Sequence, residues 1–165
     1  MQHLTKIRQF VLLALLQALV LNHVRLGQFA APILYIYFVM KFSSGTDTKA
    51  LTLWAFAIGL CIDILSNTPG LNAASCTFAA FCRPGMLRLF SARDPRDDFE
   101  PGIRVMGFAQ FFRYALSLTL LHCAALNLID AFSFANPGTL ALKTLGDTTT
   151  TLVCVLCIDS VRRGK

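Results

Sequence analysis

The chain has 165 residues, of which 55% are hydrophobic and only 15% charged, with a formal charge of +6 at neutral pH. Its mean hydropathy is +0.60 and its isoelectric point about 9.2. A soluble domain of this size needs more polar surface than that. The basic residues stand in short caps between apolar runs, which argues against a phosphate-binding face and for one membrane-embedded unit.

In chain order, Lys6 and Arg8 lead into an apolar run predicted as a helix over 10–24. A secretory signal begins in the same way, but residues 22–28, NHVRLGQ, contain no small-x-small cleavage site and apolar sequence resumes at once. The first helix is therefore expected to be retained. Gln17, Asn22 and His23 read as groups that bond to neighbouring helices or lipid headgroups. The second run, FAAPILYIYFVMKF, predicts a helix over 29–42. It is short for a span, with Pro32 near its start, where a missing backbone donor matters least. Tyr35 and Tyr37 suit packing or interface positions.

A central hairpin follows, with helices predicted over 50–65 and 71–83. Its first arm is apolar from Leu51 to Leu65 except for Thr52 and Asp63, and Ser66-Asn67-Thr68-Pro69-Gly70 then reverses the chain. Two roles fit Asp63. It is either a binding or relay carboxylate, with Gly59 on the same face one turn earlier, or an architectural carboxylate accepting bonds from Ser66, Thr68 or loop amides.

A loop is predicted over 84–104, where Pro84, Pro95 and Pro101 with Gly85 and Gly102 interrupt the pattern and charges of both signs mix. It reads equally as a docking loop or as an ordinary solvated one. Helices are then predicted over 105–129 and 140–161. Within the former, Arg113 falls within snorkelling reach of the boundary, and His122 and Asn127 either line a groove or bond between helices. The latter opens with Asp147 and four threonines and closes with Asp159 beside Arg162. With six spans, Lys6, Arg8, Lys41, Lys49, Arg83, Arg88, Arg93, Arg96, Arg104, Arg162, Arg163 and Lys165 fall on one side, and Arg25 and Lys143 on the other. This asymmetry puts both termini in the cytoplasm.

Six cysteines lie in or beside apolar runs, and the Cys154-x-x-Cys157 pair has no second pair or histidine nearby. Packing accounts for them better than metal or disulfide chemistry. Phosphate-loop, dinucleotide, zinc-protease and nucleophile-elbow motifs are absent. Asp63 and Asp130 are expected near the outer face and Asp159 near the inner one, so no acid, base and nucleophile set gathers at one depth. The expectation is a protein without catalytic, cofactor-binding or metal-binding residues.

The stretch FAIGLCIDILSNTPGLNAASCTFAAFCRP, Phe56 to Pro84, resembles the signature region of the MreD family of bacterial rod shape-determining membrane proteins. In that family a Gly-Leu-x-x-Asp helix is followed by a serine, a glycine-containing turn and another helix. QALVLNHVRLGQFAAPILYIYFVM, HCAALNLIDAFSF and the threonine-rich last run with Asp159 resemble the form found in Bacteroidota. Asn72 departs from the histidine that many members carry after the turn glycine. The resemblance implies an all-α six-helix bundle like the substrate-binding subunits of energy-coupling-factor vitamin transporters. It also implies a non-enzymatic role in the bacterial inner membrane, supporting cell elongation and peptidoglycan synthesis. The implied partners are MreC, the actin-like MreB, the wall glycosyltransferase and transpeptidase, and membrane lipids, with no nucleic acid. Carried onto this chain, Gly59 would allow close packing, Asp63 would organise the extracytoplasmic tip with Ser66 and Thr68, and Pro69-Gly70 would set the turn. Arg83 and Pro84 would mark the cytoplasmic exit. The competing expectation is a small-molecule or vitamin-binding subunit of a transporter, with a pocket around Asp63, His122 and Asn127.

Overall fold

The computed structural model describes residues 2–21, 31–91, 98–131 and 137–162. Asn22, His23, Arg25, Arg93, Pro95, Arg96, Arg163 and Lys165, about which the sequence raised expectations, lie outside the described residues. Seven helices are described: α1 (Gln2–Leu19), α2 (Ile36–Met40), α3 (Thr48–Ser66), α4 (Leu71–Phe90), α5 (Ile103–Met106), α6 (Phe108–Ala131) and α7 (Pro137–Arg162). The spans Thr48–Ser66, Phe108–Ala131 and Gly138–Val161 are long and apolar enough to cross a membrane. At a rise of 1.5 Å per residue, the 19 residues of α3 extend about 28 Å, close to the hydrocarbon thickness of a bilayer. The protein is an all-α, multi-pass membrane bundle.

Packing follows the chain. α3 lies along α4, α4 along α6 and α6 along α7, while α1 rests on α3 and more lightly on α2. Ile36, Met40, Leu51, Ile58, Ile62, Phe111 and Leu118 are fully buried between them. Leu53, Phe56, Leu60 and Ile64 line the outward face of α3, and Phe78, Phe81 and Leu89 that of α4. Apolar residues on both faces are what a helix needs when protein covers one side and lipid the other.

Several bounds differ from the sequence expectation: α1 spans Gln2–Leu19 rather than 10–24, α5 begins inside the loop expected over 84–104, and α6 starts only at Phe108. The second apolar run does not form a helix over 29–42, because among its described residues only Ile36–Met40 is α-helical. Pro32 to Met40 are nonetheless buried throughout, so the run is apolar because protein surrounds it. Its irregular backbone is met by side chains. The Ala31 N–H donates to Asp147 Oδ1 (2.8 Å), the Ile33 N–H to Thr151 Oγ1 (2.9 Å) and the Leu34 N–H to Gln17 Oε1 (2.8 Å), while Gln17 Nε2 donates to the Pro32 carbonyl (2.9 Å). Non-helical backbone at membrane depth is tolerated when it is buried in protein and bonded in this way. The segment runs parallel to α7, from the level of Asp147 to that of Asp159, where Lys41 Nζ meets Oδ1 at 3.0 Å. Twelve residues of α7 cover about 18 Å, so residues 31–41, an irregular stretch that leads into α2, traverse most of the bundle.

The loop expected over 84–104 starts later, because α4 continues through Pro84 to Phe90. Arg83 fixes the helix at this point to its neighbours, and Leu87 one turn on is again buried. Proline within a membrane helix is accommodated when such neighbouring contacts hold the chain. After the break, residues 98–103 fold back onto the turn after α2. The Ser44 N–H donates to the Phe99 carbonyl (2.9 Å) and the Phe99 N–H to Ser44 Oγ (3.0 Å).

Candidate functional site

The polar residues of the bundle gather in two layers, one at each end. At the first, α3 ends on Asn67 in the left-handed conformation (φ 54°), and Gly70 precedes α4 at φ 80°. Gly70 is the N-cap of α4 and has no side chain with which to accept from the free amides of the first turn. Asp63 supplies that acceptor from the neighbouring helix. Its Oδ1 accepts from the Asn72 N–H (2.9 Å), Asn72 Nδ2 (2.8 Å) and Thr68 Oγ1 (2.9 Å), and its Oδ2 accepts from the Ala73 N–H (2.8 Å). A carboxylate on the positive end of a helix dipole, with four donors around it, is a stable arrangement even when buried. One turn earlier, Gly59 lets the backbones of α3 and α4 come together at Asn72 and Ala73.

From Asp63 the bonding continues inward. Asn72 Oδ1 accepts from the Tyr35 hydroxyl (2.7 Å), which lies 3.0 Å from His122 Nε2. His122 and Tyr35 also meet edge to face, with ring centroids 5.2 Å apart. Asn127 belongs to a different set: its Nδ2 donates to Asp147 Oδ2 at 2.9 Å, and Asp147 in turn holds the Ala31 amide. Lys143 and Asp130 close the same end of the α6–α7 pair at 2.7 Å.

At the opposite end, Asp159 accepts from the Tyr37 hydroxyl (3.2 Å), Lys41 Nζ (3.0 Å) and the Ile103 N–H at the start of α5 (2.8 Å). Lys41 also donates to the Pro101 carbonyl (2.7 Å) and lies 3.5 Å from Glu100. Arg83 is only 1% exposed. It donates through Nε to the Tyr114 hydroxyl (3.0 Å) and through its guanidinium to the carbonyls of Met40 and Phe42. These carbonyls flank the end of α2. Beyond this layer, Asp98 accepts from the Ser43 hydroxyl and the Gly45 N–H, which hold its carboxyl below the usual carboxylate range.

The same chemistry recurs at each interior charge. Asp63 meets the start of α4, Asp147 the irregular stretch before α2, Asp159 the start of α5, and Arg83 the end of α2. Each charge satisfies backbone where a helix begins, ends or is missing, in surroundings where unbonded amides and carbonyls are costly.

Among the residues singled out from sequence, Gly59, Asp63, Thr68 and Gly70 come together at one tip, with Pro69 in its turn and Ser66 ending α3. Arg83 and Asp159 lie in the other layer, and Pro84 sits within α4 rather than at its exit. His122 joins the Asp63 network through Tyr35, while Asn127 joins Asp147. Lys41, Asp147, Tyr35 and Gln17 take part without having been proposed as site residues. Polar groups within otherwise apolar runs were the available signal for Asp147 and Gln17. Among the described residues no cluster of His, Cys, Asp and Glu suits a metal ion. Each of the six cysteines is a free thiol.

No family model, curated protein or solved structure matches this chain.

Proposed function

We propose that the protein is a non-enzymatic scaffold of the MreD type in the bacterial inner membrane, with both termini cytoplasmic. In this reading it supports cell elongation and lateral peptidoglycan synthesis through contacts with MreC and, directly or through it, with MreB and the wall glycosyltransferase and transpeptidase. The carrying observation is the use made of the interior charges. Asp63, Arg83, Asp147 and Asp159 all hold backbone in place, while the long outward faces of α3 and α4 offer apolar surface to lipid or to other membrane helices. This arrangement favours a rigid body that others assemble on. The resemblance of Phe56 to Pro84 to the MreD signature names the assembly. Clean depletion in the source organism should give rounded or misshapen cells with reduced lateral wall incorporation. Normal shape and incorporation after depletion would overturn the reading.

A second reading is a small-molecule-binding subunit on a fold like that of the energy-coupling-factor transporters. Asn127 Oδ1 and Thr119 Oγ1 favour it, because both are buried acceptors on α6 without a partner among the described residues. A polar ligand would satisfy such atoms. Saturable, competitor-sensitive binding by the purified protein, lost in Asn127→Leu, would support it. Absence of such binding would leave the scaffold reading alone.

A further inference from the structure

Beside α1, on the flank facing α7, lies a groove of about 600 Å³. Leu12 and Leu16 of α1, Phe38 of α2 and Ile158 of α7 wall it, and Arg8 and Lys41 stand at the end nearest Asp159. Arg8, Leu12 and Leu16 follow one another at intervals of four, so the cation and the apolar wall share one face of the helix. A second groove, on the outward side of α1, shares the same three residues.

The charges around this mouth are unequally engaged. Lys41 is held by Asp159 and Glu100, and Lys6 lies 4.6 Å above the Phe42 ring. Asp98 is bonded to Ser43 and Gly45, and Asp159 to Tyr37, Lys41 and Ile103. Arg8 is exposed and has no bonding partner among the described residues. Its guanidinium thus presents a free, fork-shaped donor set at the top of two apolar channels, which suits a phosphodiester.

We propose that this surface binds a phospholipid with an anionic head, its phosphodiester on Arg8 and its acyl chains in the two grooves that meet there. The bound lipid fills the gap between α1 and α7.

The test is native mass spectrometry of the full chain released from detergent, with phosphatidylglycerol and phosphatidylethanolamine added at equal mole fraction. Phosphatidylglycerol should be retained about five-fold more, the scale of one basic residue at an anionic membrane surface. Arg8→Gln, at an exposed position, should remove that preference while leaving helix content and melting unchanged. Leu12→Trp should displace the lipid with Arg8 still in place, and glycerol phosphate, a soluble phosphate ester without acyl chains, should not compete. Equal retention of the two lipids, a preference that survives Arg8→Gln, or full competition by glycerol phosphate would each overturn the proposal. So would a stoichiometric protein adduct occupying the groove in place of lipid.

Discussion

Gly59 of α3 lies so close to Ala73 of α4 that a Cβ added to Gly59 would stand 2.5 Å from the Ala73 Cα. The obstacle is backbone, which cannot rotate aside. Gly59→Ala should therefore force the hairpin open and lower stability by about 2–3 kcal/mol. Gly85→Ala, where an added Cβ meets nothing within 4 Å, should be neutral or slightly stabilising through helix propensity. Denaturant or thermal unfolding in micelles compares the two, and equal effects would show that the close approach is not what makes Gly59 necessary.

Asp63→Asn keeps the shape of the side chain but turns one of its two acceptors into a donor facing donors. With four hydrogen bonds converging on the carboxylate, the expected loss is about 2–4 kcal/mol. Hydrogen exchange should accelerate first at the Asn72 and Ala73 amides. Unchanged protection there would contradict the assignment of Asp63 as the cap of α4.

Lys41 and Asp159 form a partly buried pair whose members are expected to be worth more together than apart. Lys41→Met or Asp159→Asn alone should destabilise by about 1–3 kcal/mol, because each removes a charge-assisted bond while Lys41 keeps Glu100 and the Pro101 carbonyl, and Asp159 keeps Tyr37 and the Ile103 amide. The double variant should lose less than the sum, with a coupling of about 1–3 kcal/mol. Strict additivity in the unfolding cycle would mean that the two act independently.

Arg83 has no carboxylate partner among the described residues, and its guanidinium instead serves two carbonyls and a tyrosine hydroxyl. Arg83→Met should strip these acceptors of their donors and cost about 2–4 kcal/mol, whereas Tyr114→Phe, which removes one hydroxyl, should cost about 1 kcal/mol. Arg83→Lys should fall nearer to Met than to wild type, since a single ammonium cannot reproduce the fork. Melting of the three variants ranks them.

The loop contact at Asp98 should respond to acid. The folded-state pKa is lowered by the Ser43 and Gly45 hydrogen bonds, so the contact's contribution is fully present above the ordinary aspartate value and is lost as pH falls through the lowered one. The group is exposed, so global stability should hardly move. Exchange of the Gly45 amide, corrected for intrinsic rate, should stay slow at pH 5 and quicken only below about pH 4. Asp98→Asn should remove the transition.

The hairpin tip was legible in the sequence because its parts are local. Gly59 and Asp63 share a helix face by spacing, and Pro69-Gly70 announces the turn. The partners of Asp159 were not legible, since Lys41 lies 118 residues away in the chain. Nor does hydropathy tell an apolar run covered by lipid from one covered by protein, which is why residues 29–42 read as a full helix. Pro84 misled for a related reason: the rule that proline ends helices assumes water or empty space beside the break, whereas Arg83 and its acceptors hold α4 together. His122 and Asn127, expected around one pocket, sit one helix apart in allegiance, His122 bonding toward α2 and Asn127 toward α7.

The central claim is that the outward faces of the bundle receive other proteins of the wall-elongation machinery. Photocrosslinking in native membranes from Leu53, Phe56, Leu60 and Ile64 on α3, Phe78 and Phe81 on α4 and Leu145 and Val153 on α7 tests it directly. Reproducible capture of MreC or the wall synthase from one of these faces, and not from the others, is the expected result. Capture of an ATPase-linked transport module instead, with no wall-synthesis protein from any position, would contradict it.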